Sequence, residues 1–285
     1  MKKIFILLII LSGVSKLNFL NAQTNLRIMS YNMLYDSFTD SVTDWQQRKQ
    51  QVVDLIKYHE PDVLGTQELL HHQLKYISDS LKNYNTVGIA RNDGRQDGEY
   101  AAILYNRSKY NCTDSGTFWL SATPEKPTKG WDASYFRICT YTKLTDKQTK
   151  QSFYVFNTHF EYRGKQAKIE SAKLCLDKIK AINKRNLPVF FVGDFNSDNQ
   201  DTVTQIIKTR FDNARNKSAF VYGHADNWNS RHVSIAPKGW VDHIFISKNP
   251  GVKVKKFATL TDSYNLYYPS DHLPIIADIL ISNNP

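Results

Sequence analysis

The chain has 285 residues, 41% hydrophobic and 22% charged, with 37 Lys and Arg against 27 Asp and Glu for a formal charge of +10. That apolar content over that length builds a large buried core, which excludes a disordered or fibrous chain. Three Cys allow at most one bridge, which excludes a disulfide framework. The basic balance suits a phosphate-rich partner, and equally a solvated surface kept for solubility.

Taken in chain order, the first element reads as an export signal: Lys2 and Lys3 precede the apolar run Ile4 to Leu11, with a small-residue cleavage site near Ala22. The run is too short to span a bilayer, Ser12, Ser15, Lys16 and Asn18 interrupt it, and no Cys stands where a lipid would be attached. The expectation is a secreted or periplasmic protein with no stable membrane anchor. Removal of residues 1–22 takes three lysines and no acids, leaving +7 over 263 residues. No linker or repeat divides 23–285, which reads as one domain and a monomer.

The mature chain begins with a strand-like run, Leu26–Met33, followed by a helix near Asp44–Tyr58 with Trp45, Val52 and Ile56 on one face. Further strands are expected at Asp62–Thr66, Ala101–Tyr105, Phe136–Leu144, Phe153–Thr158 and Val189–Val192, and a long helix at Lys165–Asn183 carries Ile169, Ala172, Leu176 and Ile179 at helical spacing. Strands near His243–Ser247 and Pro274–Ile281 close the chain. Phe118 to Ser121 and Trp131 are expected in a long aromatic loop, where core packing is the default role. The alternation of strands and helices indicates an α/β sandwich with helices outside stacked sheets.

Polar residues gather where these strands end: Asn32, Glu68, His159, Asp194, Asn196, Asp242, Asp271 and His272. Loops on rigid strand ends are where active sites are built, although each Asp or Asn alone also reads as an ordinary turn former. His243 follows Asp242 within a strand, so its side chain points to the opposite face and reads as structural.

Six segments, Ser30-Tyr31-Asn32, Thr66-Gln67-Glu68, Asn157-Thr158-His159, Gly193-Asp194-Phe195-Asn196, Trp240 to Phe245 and Ser270-Asp271-His272, occur in an order and spacing that strongly resemble the endonuclease/exonuclease/phosphatase superfamily. The resemblance implies a four-layer α/β sandwich, two central mixed β-sheets flanked by helices, and hydrolysis of a phosphoester with a divalent cation. By that resemblance Glu68, Asn32 and Asp271 hold Mg²⁺, with Mn²⁺ or Ca²⁺ as alternatives. Asp194 orients or deprotonates the attacking water, Asn196 donates to charge developing on phosphorus, and His272, held by Asp242, contacts the scissile phosphate. Glu99 and His159 resemble a second acid–histidine pair serving the leaving oxygen, with a purely structural His159 as the alternative. Arg137 resembles an arginine that binds a phosphate oxygen, and equally reads as a salt-bridge residue.

Within such a superfamily the fold does not choose the substrate. Val241, His243, Ser197 and Asp198 depart from the inositol 5-phosphatase pattern, and export argues against intracellular members. A nuclease-like phosphodiesterase acting on nucleic acid is the first expectation, with six lysines between Lys165 and Lys184 as a candidate basic rim. A phosphatase or sphingomyelinase-type enzyme is the alternative. A binding protein that has lost catalysis would lack a key polar residue, and none of the positions named is missing.

Overall fold

The computed structural model describes residues 23–37 and 44–282; the expected export signal at 1–22 lies outside the described residues. The chain runs through β1 (Gln23–Asn32), α1 (Trp45–His59), β2 (Val63–Gln67), α2 (His71–Ser80), β3 (Tyr84–Val87), β4 (Ile103–Asn106), β5 (Tyr110–Trp119), β6 (Ile138–Asp146) and β7 (Ser152–His159). It continues with α3 (Lys165–Ile182), β8 (Val189–Asp194), α4 (Thr202–Lys208), β9 (Phe211–Asn213), α5 (Ala214–Lys217), β10 (Val221–Tyr222), β11 (Asp242–Ser247), β12 (Val252–Thr259) and β13 (Ile275–Ser282).

The strands form two sheets, of order β10-β12-β13-β1-β2-β4-β3 and β5-β6-β7-β8-β11-β9. Both are mixed: β1 with β2, β10 with β12 and β7 with β8 are parallel pairs, and the remaining ladders are antiparallel. Side chains alternate across each strand, so one parity of a strand meets the other sheet and the opposite parity meets a helix. Leu26, Ile28, Val63, Ile103, Val155, Phe190, Val192, Ile244 and Ile279 fill the space between the sheets. Met29, Tyr31 and Leu64 turn outward against Val52, Ile56, Leu74 and Ile77 of α1 and α2. Phe156, Phe191 and Phe245 turn outward against Ala172, Cys175, Ile179 and Ile207 of α3 and α4. The result is the four-layer sandwich that the sequence led us to expect, with helices on both outer faces. No helix among the described residues is long and apolar enough to cross a membrane.

The helix faces agree with the periodicity: Trp45, Val52 and Ile56 are buried on α1, and Ala172, Leu176 and Ile179 on α3. Asp44 caps α1 by accepting from Gln46 N at 2.8 Å. The sequence pattern did not disclose α2, β3, β5, α4, β9, α5, β10 or β12. β5 is an edge strand of sequence YNCTDSGTFW, mostly polar on its open side and bulged between Cys112 and Asp114, so it shows no clean alternation. Phe118 and Trp119 therefore lie in a strand rather than in the expected loop, although both are buried as core residues. Cys139 and Cys175 are buried free thiols behaving as small apolar groups, and Cys112 is free and half-buried.

Candidate active site

The alternation that fills the core also aims the site. Even-numbered positions of β1, β8 and β11 face the other sheet through Ile28, Val192 and Ile244, so Asn32, Asp194 and Asp242 face it too, where the strands meet the rim. Asp242 starts a strand and Asp194 ends one, yet they stand opposite each other because β11 runs antiparallel to β8. His159 ends β7 level with Asp194 in a parallel register. Glu68 follows β2 and adopts a left-handed backbone at φ 68°, and Asn196 does the same at φ 47°. Such conformations are uncommon outside glycine and concentrate at functional sites.

Just beneath the rim the sheets are joined by polar groups. Gln67 Nε2 donates to Asn157 Oδ1 at 2.7 Å and to Ser30 Oγ at 3.2 Å, while Asn157 Nδ2 donates to Thr66 O and Ala102 O at 2.9 and 2.8 Å. Packing here is close enough to require glycine at two points. A Cβ on Gly65 would come within 2.6 Å of Val192 of the facing sheet, while one on Gly193, at φ 148°, would come within 2.1 Å of Thr158 O on the neighbouring strand of its own sheet.

Asn32 Nδ2 donates to Glu68 Oε1 at 2.9 Å and to Asp194 Oδ2 at 3.0 Å, and its Oδ1 accepts from Leu34 N at 3.1 Å. Glu68 Oε2 accepts from Tyr35 N at 3.1 Å. Asp271 follows Ser270, whose hydroxyl donates to Asn32 O at 2.7 Å. Glu68, His159 and Asp194 offer ligand atoms within 4.8 Å of one another, and so do Asp194, Asp242 and His272. Burial, with Asp242 alongside, pushes the Asp194 carboxyl up to about 7. Asp242 and Asp271 are raised too, first by burial, with the charge of Glu68 adding to both. Carboxylates packed so closely are relieved by a cation, and Glu68 with Asp194 supplies the carboxylate oxygens a hard divalent ion prefers, whereas Asp271, expected from the sequence to share the ion, is in neither group. The residues present fit such an ion.

The two site histidines differ. His272 Nδ1 lies 2.7 Å from Asp242 Oδ2 and its Nε2 lies 3.8 Å from Asp194 Oδ2. Burial alone would discharge it, but Asp242 and Asp194 hold its pKa well above the usual histidine value. His159 Nδ1 stands 3.7 Å from Glu99 Oε2, too far for a hydrogen bond, and finds no other partner; its Nε2 is 3.5 Å from Asp194. Burial and then Arg137 and Arg91 drive its pKa well below the usual value.

Arg91 grips Glu99 with two 2.7 Å hydrogen bonds, and burial nonetheless pushes the Glu99 carboxyl up to about 7. Arg137 is 4% exposed; its Nε reaches Glu161 Oε2 at 3.4 Å while its Nη1 is buried without a partner. Arg91 and Glu161 escaped the sequence reading. Glu161, fully buried two residues past His159, also accepts from the backbone of Ser134, Tyr135 and Arg163. A carboxylate in the apolar run Phe160 to Tyr162 was the available clue, because a charge is buried only when it is well paired. Asn196 Nδ2 donates to Phe160 O at 3.1 Å, and its own carbonyl accepts from Lys168 Nζ at 2.9 Å. Lys165, Lys173 and Lys180 lie exposed on α3, whose buried face covers the sheet, and Lys184 lies exposed just past its end, so they form a helix surface. His243 points away from the site and is fully buried between Ser197 O at 2.9 Å and Asn213 Nδ2 at 3.0 Å.

The same architecture recurs in solved structures. An endonuclease/exonuclease/phosphatase family protein from Bacteroides thetaiotaomicron superposes with a TM-score of 0.87 at 34% identity, covering 91% of this chain and 98% of that one. The mannosyl-6-phosphatase Bt3783 of Bacteroides thetaiotaomicron VPI-5482 superposes with a TM-score of 0.86, also at 34% identity, over 89% of this chain and 99% of that one. The uncharacterized protein L388 of Acanthamoeba polyphaga mimivirus is 25% identical over 88% of this chain and 98% of its own length. The sequence profile of the Endonuclease/Exonuclease/phosphatase family matches residues 29–272, from the core of β1 to His272, and the chain belongs to that family of phosphoester hydrolases.

Proposed function

We propose that this enzyme is a divalent-metal-dependent phosphatase acting on a phosphate monoester, with a sugar phosphate as the substrate class. The observation that carries the reading is a pair of nearly buried guanidiniums, Arg91 and Arg137, beside His159 and Glu99, with Arg137 Nη1 lacking a partner. A terminal phosphate carries two negative charges and three free oxygens, which suits a fixed guanidinium and a charged His272 better than the single charge of a diester does. The similarity to a mannosyl-6-phosphatase supports the same choice.

In this reading Glu68, Asn32 and Asp271 hold the ion, with Mg²⁺ as our assignment and Mn²⁺ or Ca²⁺ as alternatives. The ion would neutralise phosphate charge and act as a Lewis acid. Asp194, hydrogen-bonded to Asn32 and to Asn196 N, aligns the attacking water and takes its proton as the new P–O bond forms. His272 donates from Nε2 to a phosphate oxygen, with Asp242 fixing the ring through Nδ1. Asn196 donates to the charge that grows on phosphorus. The ester P–O bond then breaks, and the leaving alkoxide takes its proton on the side of His159 and Glu99. Residues 1–22, read as an export signal, would place this activity outside the cytoplasm.

The second reading is a nuclease-like phosphodiesterase, favoured by the net positive charge. Comparison of kcat/KM for hexose 6-phosphates with that for dinucleotides and single-stranded DNA, with and without EDTA, decides between them. EDTA is expected to abolish turnover of every substrate, and the monoester to exceed the diesters by at least about 100-fold. Faster turnover of the diesters, with steep salt dependence, would overturn the phosphatase reading.

A further inference from the structure

One exposed feature beside the site remains without a task. Tyr135 and Tyr162 are 47% and 41% exposed, their rings 23° from parallel with centroids 6.3 Å apart. Exposed tyrosines are ordinary when scattered on mobile loops, but this pair is fixed in place. Glu161 binds the backbone on both sides, accepting from Ser134 N, Tyr135 N and Arg163 N at 3.1–3.4 Å. The same loop is tied down again by Asp132, which accepts from Gln166 N and Ala167 N at the start of α3. A buried carboxylate and a helix terminus are thus committed to holding two aromatic rings in solvent, which core packing does not require.

The position of the pair relates it to phosphate binding. The Arg91 and Arg137 guanidiniums lie 5.2 and 5.7 Å from the centre of the Tyr135 ring, and Arg163 lies 4.9 Å from that of Tyr162. The partnerless Nη1 of Arg137 and the rings therefore adjoin, one for a phosphate and the other for whatever the phosphate is attached to. A hydroxylated ring has apolar C–H faces that rest on aromatic surface and a rim of hydroxyls that needs donors and acceptors. Tyrosine hydroxyls and the guanidinium of Arg163 supply both signs of partner at that rim.

We propose that Tyr135 and Tyr162, held by Glu161, form the subsite for the sugar ring that leaves the phosphate, and so set the enzyme's preference for hexose phosphates over ring-less phosphoesters. The proposal rests on the phosphatase reading above.

The test is steady-state kinetics of Tyr135→Ala, Tyr162→Ala and Tyr135→Phe on a hexose 6-phosphate, glycerol 3-phosphate and a nucleoside 5′-monophosphate. Loss of a stacking face should raise KM for the hexose phosphate roughly five- to tenfold in each alanine variant, leave its kcat within about twofold, and leave kcat/KM for glycerol 3-phosphate unchanged. Tyr135→Phe keeps the face and loses only a hydroxyl at the rim, so it should raise KM for the hexose phosphate about two- to threefold, less than Tyr135→Ala does. Equal losses on hexose and glycerol phosphates would overturn the proposal, because the rings would then serve only to hold the arginines. Unchanged KM values would overturn it as well, and ring preference lost only for the nucleotide would overturn the sugar assignment. Wild-type enzyme that hydrolyses diesters but no monoester would instead bring down the phosphatase reading, and this inference with it.

Discussion

The two flanks of the cleft hold their histidines in opposite ways. On one flank His272 is locked to Asp242 at 2.7 Å and faces a second acid, so it is held as a cation. On the other, His159 has acids only at 3.5 and 3.7 Å and two arginines nearby, so it is held neutral. The same residue type in one buried cleft thus carries opposite charge, and the difference comes from hydrogen-bond length and the sign of the neighbours rather than from burial, which both share. A fixed cation suits an anion that must be gripped, whereas a loosely held neutral ring suits a group that must move with the leaving oxygen.

The largest expected effect tests the rigid flank. Asp242→Asn and His272→Ala should each lower kcat about 100- to 10,000-fold with the fold retained, and the double variant should be little worse than the worse single one. Full additivity in that cycle would show that the two do not work as a unit. On the loose flank, Glu99→Gln and His159→Ala should each cost no more than about 100-fold. Their effects should combine almost additively, since no hydrogen bond joins them; strong coupling there would erase the contrast between the flanks.

A third histidine, which points away from the candidate site, provides a control. Burial lowers the pKa of His243 to about 4, although its bond to the Ser197 carbonyl opposes this. The unfolded chain takes up this proton near the ordinary value of 6.5, the folded chain only near 4, so stability is intact above 6.5 and is lost as pH falls between them. The loss amounts to roughly 3 kcal/mol. Denaturant melts at several pH values should show a shallower decline between pH 6.5 and 4 for His243→Gln than for the wild type. An identical decline would remove His243 as a source of the acid sensitivity.

The site was legible where it follows the strand pattern. Asn32, His159, Asp194 and Asp242 terminate or begin apolar strands at positions whose parity is set by the core, so their convergence could be read from alternation and order. His243 was legible by the same rule, from the opposite parity. Arg91 and Glu161 were not, because their partners lie across loops: Arg91 meets Glu99 from the far end of a turn, and Glu161 meets backbone some 26 residues earlier in the chain. In the fold, β5 escaped because it is a mostly polar edge strand, and β12, paired on both sides, because its lysines break the apolar run.

The polar bridge of Gln67, Asn157 and Ser30 sits one step below the candidate site and joins the two sheets. The cleft is therefore a seam: Asn32, Glu68, Asp271 and His272 belong to one lip, and His159, Asp194 and Asp242 to the other. Neither lip contains a working half. Turnover in this enzyme is consequently a gauge of sheet docking, and heat or denaturant that parts the lips by the length of one hydrogen bond should silence it while each sheet remains internally paired.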